Sequence, residues 1–319
     1  METHNFANVI SIENLFQAWG EFKKGKRKKK DVQLFERYLE DNLFGLHKKL
    51  VSKTYKHGNY HAFYVHDPKQ RHIHKADIED RIIHHLLYKY LYRLYDGSFI
   101  DDSYSCRLGK GTHKAIDRLE KFTRIVSKNY TRNCWTLKLD IKKFFANINH
   151  QILKQLLREK IFERDIVWLL DQVIDSFSKG IPLGNLTSQV FANIYMNKLD
   201  QFIKHDLKAK YYMRYADDFI ILSGYNNTLQ RSIVTIAEFL ENDLKLELHP
   251  NKVIIRKLNW GIDFLGYIVL PHYRLVKTKT KKRLFKRLDS QNIQSYLGYL
   301  SHANSHKLAG EIKSRILFT

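Results

Sequence analysis

Cysteine is nearly absent: 319 residues hold only Cys106 and Cys134. Two thiols cannot build a disulfide framework or a Cys-rich zinc site. Proline occurs at only 4 positions and apolar residues reach 44%, which excludes collagenous, low-complexity and disordered chains. No apolar run approaches the roughly 18 residues needed to span a bilayer. The opening METHNFANVISIENLF lacks a basic stretch followed by an apolar one, so no signal peptide is expected. Acids are also in deficit: 33 Asp and Glu stand against 55 Lys and Arg, a net charge of +22. That surplus points to a polyanionic partner, and with no membrane segment nucleic acid is the better candidate. An inert, over-charged surface is the bland alternative. The chain reads as a reduced, soluble, cytoplasmic protein with no membrane partner.

What is present is a mixture of helical and alternating patterns. Residues 11–55 have helical spacing, interrupted by the basic run Lys23 to Lys30, which reads either as a solvated loop or as a phosphate contact. NYHAFYVH (59–66) alternates like a strand, Asp67-Pro68 turns the chain, and Lys69 to Ile73 could return. A helix is expected over 77–95, and the glycine-containing segment Cys106 to Thr112 precedes another. Trp135 to Asp140 is a short strand, followed by one helix carrying Phe144 through Leu157. A helix over 187–204 leads into Tyr211–Tyr215 and Phe219–Leu222, a hairpin with two acids at its tip. Residues 230–243 are helical, Leu244 to Leu248 alternates like a strand, Ile262–Val269 holds a strand pair, and the tail from Lys277 is basic and helical. This order implies an α+β core with helical additions at both ends.

Tyr215-Ala216-Asp217-Asp218 is the most demanding feature. Two adjacent carboxylates between apolar strands repel unless a cation is present, although a solvated Asp-Asp turn is common. Asp140, at the end of another apolar strand, supplies a third acid. Three carboxylates around two Mg²⁺ ions roughly 3.5–4 Å apart suit in-line phosphoryl transfer. The sixteen histidines offer less, because His72, His74, His84 and His85 lack partners at zinc-ligand spacing. Nor does any serine sit on a strand-to-helix elbow.

YYMRYADDFIILS resembles the catalytic hairpin of reverse transcriptases. LKLDIKKFFANINHQIL resembles their first carboxylate motif, GIPLGNLTSQVFANIYMNKLD their second, LKLELHPNK a later motif with a turn lysine, and GIDFLGYIV the primer-grip hairpin. RHIHKADIEDRIIHHLL and SYSCRLGKGTHKAI are similar to the two finger motifs. All seven stand in family order over about residues 60–270. The resemblance implies a right-hand polymerase: a basic helical extension (1–58), fingers (59–135), palm (136–275, with 151–180 partly fingers) and a small helical thumb (276–319). It implies RNA-directed DNA synthesis with two Mg²⁺ ions, Mn²⁺ being a possible substitute, on template RNA, RNA–DNA hybrid and dNTPs. Asp140, Asp217, Asp218 and the Ile141 carbonyl would hold the metals. Phe145 matches the gate against a ribose 2′-hydroxyl, with Phe144 as the competing ring. Arg71 and Lys69 match the triphosphate clamp, Arg71 being favoured by guanidinium geometry. Lys252 would be a general acid for pyrophosphate or, alternatively, a solvated lysine.

The second motif departs from the usual Gln-Gly and Ser-Pro pattern. Leu183-Gly184-Asn185-Leu186-Thr187-Ser188-Gln189 resembles the version found in diversity-generating retroelements. Those enzymes copy RNA with errors opposite adenine and work with a small basic helical accessory protein. No integrase, ribonuclease H or maturase extension is expected. Leucine at 183 removes a hydrogen-bonding handle near the base pair, so discrimination should weaken. Uncharacterised bacterial reverse transcriptases, including phage-defence forms, share the Ser-Gln version. A non-catalytic RNA-binding protein that kept the fold is a third reading.

Overall fold

The computed structural model describes residues 5–66, 69–289 and 292–317. The Asp67-Pro68 turn expected from sequence lies outside them. Helix and sheet are mixed, and the chain divides into two compact units, neither continuous in sequence. One comprises Met1–Ile100, Lys142–Asp200 and Leu240–Leu246; the other comprises Asp101–Ile141, Gln201–Phe239 and Glu247–Thr319. Among the described residues no helix is long and apolar enough to cross a membrane.

The first unit is chiefly helical. Ile12–Phe22 starts where the Ser11 hydroxyl accepts the Asn14 N–H, and it buries Leu15, Ala18, Trp19 and Phe22. The Trp19 ring packs on Phe22 and Phe35, so the two aromatic-bearing segments around the basic run share one core. Strands β1 (Tyr60–Val65) and β2 (Arg71–Ala76) form a hairpin in the register Tyr64↔His72. Helix Ile78–Tyr95 follows as expected. The single helix expected from Phe144 to Leu157 is instead two, Phe144–Asn147 and His150–Arg158. The Asn149 side chain accepts the Gln151 and Ile152 N–H groups and restarts the second, an N-cap that competes with continuous helix. Helix Leu186–Gln201 is buried along most of its length.

The second unit holds the larger sheet. Strands β3 (Trp135–Asp140), β4 (Tyr212–Tyr215), β5 (Asp218–Ser223) and β6 (Ile254–Lys257) lie antiparallel in the order β4-β5-β3-β6. A second sheet contains β7 (Ile262–Phe264), β8 (Tyr267–Leu270) and β9 (Tyr273–Val276). Helix Thr112–Val126 puts Ala115, Ile116, Leu119 and Phe122 into one core with Met213, Ile220, Leu222, Phe264, Tyr267 and Val269. Helices Thr278–Lys286, Ile293–Leu300 and His306–Leu317 follow β9.

One further expectation needs correction. Leu244 to Leu248 is not a strand: Leu244 ends the helix Asn226–Leu244, and only Leu248 makes a bridge, to Ile141. The reason is edge occupancy. One edge of β3 pairs with β5 and the other, from Trp135 to Lys138, with β6, so only the short end of the strand past Lys138 is left, where Leu248 bridges Ile141. Strands β6 and β9 were not anticipated, being four residues each with half-exposed patterns.

Candidate active site

Alternation along β3 sends Leu137 and Leu139 to one face, and Thr136, Lys138 and Asp140 to the other. Asp140 stands directly opposite Asp218 on β5, so the register alone brings two carboxylates together. Asp218 opens β5 and does not lie in the turn; Ala216 and Asp217 form the two-residue connection after Tyr215. Ala216 has φ 55°, a left-handed conformation that costs a non-glycine residue about 1 kcal/mol or more. A fully buried arginine holds it there. Arg214 donates from Nη1 to the Ala216 carbonyl at 3.0 Å and from Nη2 to Ser103 Oγ at 3.1 Å. The backbone of Arg214 is fixed as well, its N–H bonded to the Asp102 carbonyl and its carbonyl to the Tyr104 N–H. Sequence reading passed over Arg214; its only signal is a cation inside an apolar strand.

Each facing acid has an ammonium partner. Lys252 Nζ donates to Asp140 Oδ1 at 2.6 Å, and Lys138 Nζ lies 3.2 Å from Asp218 Oδ2. The His249 N–H donates to the Asp140 carbonyl at 2.8 Å, which seats the Pro250–Lys252 turn beside the strand end. Burial pushes the Asp218 carboxyl up to about 6; Lys138 opposes the shift, and Asp140 and Asp217 add to it. Its Oδ1 is buried without a hydrogen-bond partner. Of the expected donors Asp140, Ile141, Asp217 and Asp218, the register brings Asp140 opposite Asp218; among the described residues no three His, Cys, Asp or Glu groups stand close enough to hold a metal ion as they are. Like charges facing each other across two strands separate onto the nearest ammonium groups instead. Hard oxygen donors that repel one another, with one oxygen orphaned, nonetheless suit a divalent cation. Lys252 occurs here as the ion-pair partner of Asp140, with its side chain 37% exposed.

The remaining expected residues lie in the other unit. Arg71, the first residue of β2, and Lys69 just before it are exposed. Strand β2 is tied to the Leu183 segment: the His74 N–H donates to the Leu183 carbonyl at 2.8 Å, and Asn185 Nδ2 donates to the His74 carbonyl at 3.1 Å. Gly184, at φ 116°, passes so close to Ile73 that a Cβ would lie 2.7 Å from Ile73 Cγ2. The hairpin carrying Arg71 and the loop carrying Leu183 and Gly184 are thus one piece. Gln189 is exposed in the first turn of its helix. Of the adjacent rings, Phe144 is buried and Phe145 half-buried, so Phe145 remains the accessible one. Its carbonyl accepts the Ile181 N–H at 2.8 Å, and Gly180 (φ 70°) permits the approach, since a Cβ there would lie 2.3 Å from that oxygen.

A buried polar network behind the Leu183 segment escaped sequence reading. His84 Nδ1 and Thr187 Oγ1 are 2.6 Å apart, and His84 Nε2 is 3.2 Å from His57 Nε2. Asp80 accepts from the Tyr55 hydroxyl at 2.7 Å and from the Gly58 N–H at 3.1 Å. Burial pushes the His84 imidazole down to about 3, with His57, His85 and Arg81 acting in the same direction. A histidine on a helical stripe carries no sign of such partners in sequence.

Comparison with known proteins gives one consistent result. The family described as reverse transcriptase (RNA-dependent DNA polymerase) matches residues 52–269. Protein YkfC of Escherichia coli K12 is 23% identical over 246 residues, covering 64% of this chain and 62% of that protein. The group II intron-encoded protein LtrA of Lactococcus lactis is 25% identical over 280 residues, covering 64% of this chain and 44% of LtrA. The chain therefore spans less than two thirds of the length of either relative. Among solved structures, apo telomerase from Candida tropicalis, truncated from its C-terminal domain, superposes with a TM-score of 0.54 at 13% identity. That likeness covers 73% of this chain and 59% of the telomerase chain, and it is one of fold.

Proposed function

Since this chain belongs to the reverse transcriptase (RNA-dependent DNA polymerase) family, we propose that it copies template RNA into DNA by nucleotidyl transfer at Asp140, Asp217 and Asp218. The observation that carries this reading is the β3–β5 register, which sets Asp140 against Asp218 with Asp217 in the adjoining turn. The three acids and the Ile141 carbonyl would hold two Mg²⁺ ions, or Mn²⁺, which when bound activate the attacking hydroxyl and neutralise the leaving pyrophosphate. Binding and orientation fall to the chain's own residues. Arg71, with Lys69, contacts the triphosphate of a dNTP; Phe145 excludes a 2′-hydroxyl; Leu183, Gly184 and Gln189 line the nascent base pair. Lys252, once released from Asp140, donates a proton to pyrophosphate.

The same reading divides the chain by function into a basic extension (1–58), fingers (59–135 and part of 151–180), palm (136–275) and thumb (276–319) of a right-hand polymerase. The +22 charge holds RNA and RNA–DNA hybrid through their phosphates. Primer extension on an RNA template with dNTPs and Mg²⁺ is the test. DNA synthesis is expected; RNA binding without synthesis from any primer would favour the non-catalytic reading.

Within the family, the Leu183 to Gln189 segment supports the diversity-generating type, with a small basic accessory protein as partner. Errors concentrated at template adenines, and reduced by Leu183→Gln, are the expected outcome. An even error spectrum would favour the defence-type relatives.

A further inference from the structure

Lys138 is the one charged side chain on the inner stretch of β3, two residues from Asp140 and on the same face. Its ammonium reaches two elements at once. It lies 3.2 Å from Asp218 Oδ2 and donates to the Asp263 carbonyl on β7 at 2.9 Å, while sitting 5.6 Å from the centre of the Phe264 ring. The Asp263 carboxylate in turn is paired with Lys277, the residue that caps helix Thr278–Lys286 and whose N–H bonds the Gly266 carbonyl. A relay of contacts, the Lys138 ammonium on the Asp218 carboxylate and the Asp263 carbonyl, and the Asp263 carboxylate on Lys277, thus runs from the acidic centre through the β7–β8 hairpin to the first helix after the sheets. We propose that Lys138 is a positioning residue that fixes Asp218, and with it the Ala216–Asp217 turn, against the β7–β8 hairpin.

This inference rests on the polymerase reading and adds a division of labour to it. Asp218 takes its counter-ion from inside the sheet, on Lys138, whereas Asp140 takes its own from the Pro250–Lys252 turn, on Lys252. Removing the Lys138 ammonium leaves Asp218 opposite Asp140 without its own counter-ion, Lys252 still holding Asp140, and frees the turn from the β7–β8 hairpin.

The test is a double-mutant cycle on the full chain. Lys138→Met should lower kcat at least about tenfold with little change in KM for dNTP, because the loss is in placement of the acids and not in nucleotide contact. In the Asp218→Asn background Lys138→Met should cost little more, since nothing remains for it to hold. Lys138→Arg, which keeps the charge, should restore most of the activity. Mn²⁺ binding followed by electron paramagnetic resonance should survive Lys138→Met and be lost in Asp217→Asn. Additive losses in the cycle, full activity of Lys138→Met, or loss of its Mn²⁺ signal would each overturn the inference. Should Lys138→Met alone not fold, the neutral pair Lys138→Met/Asp218→Asn should melt higher than it; a lower midpoint would count against the tie. A wild type that binds Mn²⁺ but makes no DNA would strike the polymerase reading, whereas the cycle of melting midpoints would still report the Lys138–Asp218 coupling.

Discussion

Hairpin β1–β2 exposes most of its side chains and buries only Ala76, while β4–β5 buries most of its own and exposes none. Both bear charged residues that the proposed function assigns to the reaction. The open hairpin keeps Arg71 and Lys69 in water and is braced by ring contacts: Tyr64 stacks on His72 at 4.5 Å, His72 meets His74 at 4.3 Å, and His74 meets Phe177 at 4.8 Å. The closed hairpin removes Arg214 and part of Asp218 from water and gives them fixed partners. The charges that the proposed function assigns to the incoming nucleotide keep their hydration. Charges that define the geometry of a centre are desolvated and pinned, at a cost that burial of Phe219, Ile220 and Ile221 offsets.

The contrast can be broken at several points. Asp217→Ala in the closed hairpin should lower DNA synthesis by roughly a thousandfold or more in primer extension, since removing a metal-centre acid removes the transition-state stabilisation itself. Template binding measured by gel shift should persist; equal loss of both would remove Asp217 from the metal centre. Arg214→Met should destabilise the fold by roughly 2–3 kcal/mol in thermal melts, because the buried Ser103 hydroxyl and the half-buried Ala216 carbonyl lose their donor. An unchanged melting midpoint would show that the turn needs no prop.

In the open hairpin the expected effects are smaller and of another kind. Arg71→Ala should raise KM for dNTP about tenfold, the loss of one charge-assisted phosphate contact, with stability unchanged. A fall in kcat alone would contradict a ground-state clamp. The smallest effect concerns pH. His84 is neutral in the fold with its pKa depressed to about 3, so the unfolded chain binds the proton first as pH falls below about 6.5. Stability should therefore decline from near pH 6.5 downward, by roughly 2 kcal/mol at pH 5, and His84→Gln should flatten that slope. A slope unaltered by the substitution would place the acid sensitivity elsewhere.

Asp140 and Asp217 were legible because each borders an apolar strand pattern, where a carboxylate stands out in the sequence. Phe145 was legible with its rival Phe144, and burial of Phe144 separates them. Arg214 and Lys138 were not, because a cation within a strand reads as outward-facing until its neighbours are known. The Leu244 to Leu248 run was misread for the same reason: alternation shows that a segment could pair, but not whether an edge is open to it.

By itself the sequence determined the large positive charge, the strands and helices with strong periodicity, and the three acids with the motifs around them, all local properties of the chain. Tertiary structure alone decided that Asp140 faces Asp218, that Lys252 and Lys138 each take one of them, and that Arg214 holds the turn. Those facts depend on strand register and on contacts between residues more than a hundred positions apart, such as Lys138 with Asp263 and Arg214 with Ser103. No local pattern encodes them, since shifting a strand by a single residue turns every side chain to the opposite face.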